Sequence, residues 1–302
     1  MDVNERTVQK CLEGAYDLHV HTEPSLFKRG LDDFEMAEKA LNVKMKGFLI
    51  KAHEGSTVSR AYLAKKYFKN RVNIIGGHVM NIQAGGFNPY VVDAQIKLGA
   101  KVIWFPTISA ANHIKHFGSL QYGAMKSTHA LMEVQEGLTI NDDKGVLLPD
   151  VVKILELIAE ADVCLSTGHL SNEEIFILCR KAYETGVKKI IVNHPDFETN
   201  RMAVGDQQKL AQLGVYLEKS LLCLHPSWKS IDPEEMVEGI NQIGAEKCIL
   251  TTDYGQVENP DPVEGMKHFI RTLLKLDLAQ NKIALMLKDN PYRLINARSK
   301  TI

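Results

Sequence analysis

Eight short apolar runs recur from one end of the chain to the other, each followed by an amphipathic segment of helical length. The first closes at His21, and the others are residues 47–50, 72–75, 102–105, 163–166, 189–192, 215–217 and 248–251. Runs this short and this uniformly apolar suit strands buried on both faces, and the segments between them suit crossover helices. Alternation of that kind predicts a parallel α/β architecture. Eight such units in 302 residues fit one (β/α)8 TIM-like barrel over residues 1–302. No linker, low-complexity tract or repeat interrupts it. Residues 107–150 do break the rhythm, with His113, His116, His129, several glycines and a hairpin-like stretch at 138–147. They read as an insertion after strand four, placed to act as a lid. Ser56 is expected to cap a helix through residues 61–68, and the tail from residue 262 is expected to be helical, interrupted at Asn290-Pro291.

In barrels of this kind reactive groups sit at the C-terminal ends of the strands. The first strand runs into Asp17-Leu18-His19-Val20-His21-Thr22-Glu23-Pro24-Ser25. Strand periodicity puts Asp17, His19 and His21 on one face and Leu18 and Val20 on the other. His53 follows strand two, His78 strand three, His169 strand five, His194 strand six and Asp253 strand eight. A converging set of imidazoles with a carboxylate suits a divalent first-row ion, zinc above all. Such an ion lowers the pKa of a bound water to ~7 and polarises an acyl oxygen. Metal-assisted hydrolysis of a small molecule, at an amide, lactone or related C–N or C–O bond, is the expected chemistry.

His-X-His on strand one, His on strands five and six, and Asp on strand eight together resemble the amidohydrolase superfamily. The late stretch Asp289-Asn290-Pro291-Tyr292-Arg293-Leu294-Ile295 is similar to a helix that closes several of those barrels. The resemblance implies that His19, His21, His169 and Asp253 are metal ligands. Asp253 would also be the general base, and His194 would bind a second metal or stabilise the oxyanion. Two-metal members carry a bridging Glu or carboxylated Lys at the end of strand four. Here that strand ends in Trp104-Phe105-Pro106-Thr107. One ion is therefore favoured, and two would need a bridge from Lys51, Glu54 or Glu218. Lys51, His53, His78 and Glu218 are read as substrate-binding residues or supports for the ligands, and Arg201 as a further anion clamp. His225 and His268 receive no role.

Two other readings fit part of the pattern. A phosphoesterase of the polymerase-and-histidinol-phosphatase type also opens with Asp-X-His-X-His-Thr, but Asp253 is followed two residues on by Gly255 rather than His. A non-catalytic barrel binding a metal or small ligand is the other. A net charge of −1 argues against nucleic acid or an anionic membrane as partner, which leaves a small-molecule substrate, with a homo-oligomer compatible. Five scattered cysteines without a Cys-X-X-Cys pair, and a first six residues without an apolar core, lead to the expectation of a cytoplasmic protein.

Overall fold

Strand β1 (Tyr16–Val20) pairs in parallel with β2 (Gly47–Ile50), and β2 with the first part of β3 (Asn73–Ile75). The second part of β3 (Gly77–Val79) pairs with β4 (Val102–Trp104). The ladder then runs in chain order through β5 (Cys164–Ser166), β6 (Ile190–Val192), β7 (Tyr216–Ser220) and β8 (Cys248–Thr251). This computed structural model describes residues 4–122, 125–128, 131–134 and 136–296, so His129 lies outside it. The ring closes where Asp253 N–H donates to the His19 carbonyl and His21 N–H donates to the Tyr254 carbonyl, both at 2.9 Å. The eight-unit barrel expected from the alternation is the architecture observed.

Burial follows from that closure. Nearly every strand residue is buried, as a parallel sheet covered on both faces demands. Leu18, Leu49, Val79, Trp104, Ile191 and Ile249 pack into one cluster drawn from six strands, the filled interior of a small barrel. Leu294 and Ile295 of the last helix (Asn290–Ile295) join it. Asn290 fixes that helix, its buried amide donating to the Ala245 and Cys248 carbonyls at 2.8 and 2.7 Å. Outside the ring the helices turn apolar stripes inward. In Pro149–Ala161 the buried residues Val151, Ile154, Leu155 and Ile158 fall at i, i+3, i+4 and i+7, one face of a helix. No helix among the described residues is long and apolar enough to cross a membrane.

Two local readings need correction. The third strand does not stop at Gly76 but resumes to Val79, so His78 lies within the strand and not past its end. A side chain at position 76 would meet Val58 Cα at 2.5 Å and Thr57 O at 2.8 Å. Gly76 is there to let the preceding helix (Val58–Tyr67) sit tightly on the sheet, not to end a strand. Nor is Ser56 the cap of that helix. Thr57 holds the position and donates its hydroxyl to the Ile50 carbonyl, while Ser56 Oγ accepts from Val58 N–H at 3.2 Å.

Candidate metal centre

The seam between β1 and β8 carries the centre. The pairing register of β1 shifts between Asp17 and Val20, and this bulge breaks the strict alternation expected there. Asp17 leaves the histidines' company: it accepts from the Thr252 hydroxyl at 2.5 Å and from the backbone N–H groups of Thr252 and His19. Burial pushes its carboxyl up to about 7 despite those bonds. Leu18 joins the interior cluster while Val20 packs in the outer layer, so these two do not share a face either. His19 and His21 remain together, with ring centroids 5.3 Å apart.

Asp253 meets them from β8. Its Oδ1 lies 3.1 Å from His19 Nε2 and 3.0 Å from His21 Nε2. The residue has φ 54°, a left-handed conformation that costs a non-glycine residue about 1–3 kcal/mol. The backbone bond to His19 and the Gln256 amide donating to the Asp253 carbonyl at 3.0 Å hold it there. Strain of this sort at a strand end, aiming one carboxylate at two imidazoles, marks a position fixed for more than folding.

Glu218 on β7 sets the orientation of His19. It takes four hydrogen bonds: His19 Nδ1 and the Thr251 hydroxyl on Oε1, each at 2.8 Å, and Asn193 Nδ2 and His194 N–H on Oε2, each at 2.9 Å. Burial opposes its ionisation, but His19 and these donors hold it well below the usual carboxylate range. With its acceptor sites occupied, Glu218 is not placed to bridge two ions. Because Glu218 accepts, His19 carries its proton on Nδ1 and presents Nε2 towards Asp253. Burial works against a charged His19, yet Asp253 and Glu218 outweigh it and push its pKa up. A neutral His19 would instead face a carboxylate oxygen with a lone pair, which is repulsive without a cation. His19 Nε2 and His21 Nδ1 are buried without a hydrogen-bond partner. His19, His21 and Asp253 each offer one ligand atom, all within 4.8 Å of one another. Two nitrogens and one carboxylate oxygen, oriented by Glu218, fit a divalent ion.

The remaining histidines sort into distinct surroundings. His169 follows Gly168, where φ is +62° and any Cβ would strike the Phe105 and Pro106 carbonyl oxygens at 2.3 Å. His169 stands outside the three-residue cluster, with its Nδ1 3.0 Å from His113 Nδ1. The proton order can be assigned from the chain of partners. His113 Nε2 faces the Gln121 carbonyl at 3.1 Å and must donate to it. Burial pushes His113 down to about 3, so its Nδ1 accepts. His169 therefore donates from Nδ1 and keeps its lone pair on Nε2. His194 has its ring 5.0 Å from that of His169 and 5.9 Å from that of His19. His53 contacts Lys51 Nζ at 3.3 Å and Thr107 Oγ1 at 3.0 Å through Nδ1, and the Tyr122 hydroxyl at 3.3 Å through Nε2. His78 has neither ring nitrogen partnered. Burial pushes it down to about 4.

A narrow pocket opens over these groups, lined by His21, Lys51, His53, His169, His194 and Asp253. Neither His78 nor Glu54 lines it. Arg29, Tyr122, Met125, Phe197, Trp228 and Gln256 do, and sequence reasoning assigned none of them to the site. Tyr122 and Met125 come from the insertion, which packs its own small apolar cluster of Phe27, Ile108, Leu120 and Tyr122. Arg29 and Gln256 come from the loops after β1 and β8, which meet in an antiparallel bridge. His53, His169, His194 and Asp253 were legible as strand ends; the loop paths that bring these others in carry no periodic signal.

Known structures share this fold. No curated protein matches the sequence significantly. An amidohydrolase from Pseudomonas aeruginosa superposes with a TM-score of 0.62 at 11% identity, covering 97% of this chain and 98% of that one. The probable dipeptidase PvdM of the same organism gives 0.65 at 11% identity with the same coverage. An organophosphorus hydrolase variant from Deinococcus radiodurans gives 0.60 at 13% identity, covering 94% and 93%. At such identities the likeness is one of fold, and at that level the resemblance read from the strand ends holds. A family model described as a family of unknown function, DUF6282, matches residues 14–218. The chain thus belongs to DUF6282, a family of unknown function, and carries the barrel fold shared with amidohydrolases.

Proposed function

We propose that this protein is a metal-dependent hydrolase of small molecules, cutting an amide, lactone or related bond with an activated water. The observation that carries the reading is the buried His19–His21–Asp253 cluster, whose imidazole nitrogens face one carboxylate oxygen. His19, His21 and Asp253 would hold the ion, with His169 Nε2 the fourth donor within the same pocket. Zinc suits that nitrogen-and-oxygen set. A bound divalent ion supplies Lewis acidity, lowering the pKa of water and polarising an acyl oxygen.

The chain's own residues do the rest. Asp253, free at Oδ2, takes the proton of the attacking water. His194 lies across the pocket to stabilise charge on the acyl oxygen. Lys51, buried and drawn down to about 8 chiefly by burial, keeps its proton at neutral pH and turns it towards His53 Nδ1 at 3.3 Å. One ion is favoured, because Glu218 has its acceptor sites filled and Glu54 does not line the pocket. Tyr122 and Met125 reach the pocket from residues 107–150, which supports a lid role for that segment. We place the protein in the cytoplasm, acting without nucleic acid or membrane partners.

Metal analysis tests this. Protein purified without added ions is expected to hold close to one equivalent of zinc, lost in His19→Ala/His21→Ala. A lactone and amide panel should find turnover that Asp253→Asn lowers by about 10²–10⁴-fold. Failure to hold any ion after reconstitution would sink the hydrolytic mechanism.

A further inference from the structure

Arg29 is buried, at 4% exposure, and lines the pocket. Its Nε contacts Ser25 Oγ at 3.4 Å, while Nη1 and Nη2 have no hydrogen-bond partner. The backbone around it is pinned: Arg29 N–H donates to Glu23 Oε1 at 2.6 Å, and Gly30 N–H donates to the Gly255 carbonyl at 2.9 Å. The guanidinium carbon lies 5.8 Å from the centre of the Phe27 ring, so one face rests on an aromatic surface. Leaving both ends of a buried guanidinium unpaired is costly. Burial pulls its pKa down, but Tyr122, Asp253, Glu54 and Glu23 oppose that fall, and the group stays cationic.

We infer that Arg29 is the anchor for a carboxylate on the substrate, so that this pocket takes small carboxylate-bearing molecules. The inference rests on the pocket being the reaction site. Two unpaired N–H edges on a rigid planar fork match the two oxygens of a carboxylate in a bidentate pair. Lys51 Nζ lines the same pocket and adds positive charge. The pocket is narrow, which restricts the partner to a compact molecule. The Arg29–Gln256 bridge joins the anchor to the loop that carries Asp253, so the bound carboxylate and the base keep a fixed separation.

The test is calorimetric titration of acetate, malonate, benzoate and inorganic phosphate into chelator-stripped and zinc-reloaded protein. At least one carboxylate is expected to bind the stripped protein, with Arg29→Gln weakening it by about tenfold or more. Arg29→Lys should fall between the two, since a point charge cannot reproduce the fork. It also serves if Arg29→Gln fails to fold, thermal melting being the check. Equal affinity in wild type and variants, or no carboxylate binding to the wild type, overturns the assignment. Arg29-dependent binding that is tighter for phosphate than for any carboxylate overturns it in favour of phosphate. Binding only to zinc-loaded protein, indifferent to Arg29, places the anion on the metal and refutes the anchor while sparing the hydrolase reading. Arg29-dependent binding in a protein that takes up no zinc keeps the anchor and refutes that reading.

Discussion

The two sides of the pocket use the same side chain for opposite electrostatic ends. On the β1–β8 side, His19 stands between Glu218 and Asp253, and those carboxylates push it towards its charged form. On the β2–β5 side, His53 and His169 have no carboxylate partner, and burial drives both well below the ordinary value. There the imidazoles are held neutral by hydroxyls, a carbonyl and each other. Burial acts on all of them alike, and it drives His21 down as well although Asp253 faces it; what sets His19 apart is the second carboxylate, Glu218, behind it.

That contrast can be broken at its acidic flank first. Glu218→Gln removes the charge behind His19 and confronts its four donors with an amide that has only one acceptor oxygen. Metal affinity is expected to fall by about 10–100-fold, measured by competition with a chromogenic chelator. Unchanged affinity would mean that Glu218 does not orient His19. On the neutral flank, His113→Phe deprives His169 Nδ1–H of its acceptor while preserving volume. A buried donor left unpaired costs about 1–3 kcal/mol, readable as a lower urea midpoint at constant slope. A midpoint equal to wild type would remove His113 from the chain of proton order.

The smallest effect sharpens the contrast with a histidine belonging to neither flank. His78 in the folded chain sits at about 4 against an ordinary 6.5, so the unfolded chain takes up the proton first. Its contribution is complete above pH 6.5 and is lost as the pH falls towards 4. His78→Phe should reduce the stability lost over that interval in urea titrations at several pH values. A pH dependence identical to wild type would show that His78 is not held neutral.

The barrel was readable because its requirements are periodic: eight apolar runs of strand length with helical segments between them. His19, His21 and Asp253 were readable because strand ends converge in such a ring. Asp17 was misplaced because the bulge at the start of β1 depends on its bonds to Thr252, more than 200 positions away in the sequence. His78 was misplaced because a glycine needed for close packing looks the same as one that stops a strand. Arg29, Tyr122 and Trp228 could not be found from the sequence, since the loops that carry them are shaped by tertiary contact and not by any local repeat.

The closure of β8 onto β1 has a consequence for how the protein is made. His21 and Asp253 are 232 residues apart, so a ribosome releases both histidines long before the carboxylate that completes them. A nascent chain stalled before β8 has His19 and His21 without the carboxylate that faces them, however well its first half has folded. If the centre takes an ion as proposed, capture waits for β8 to emerge and dock on β1, so an occupied site would report that the barrel has closed.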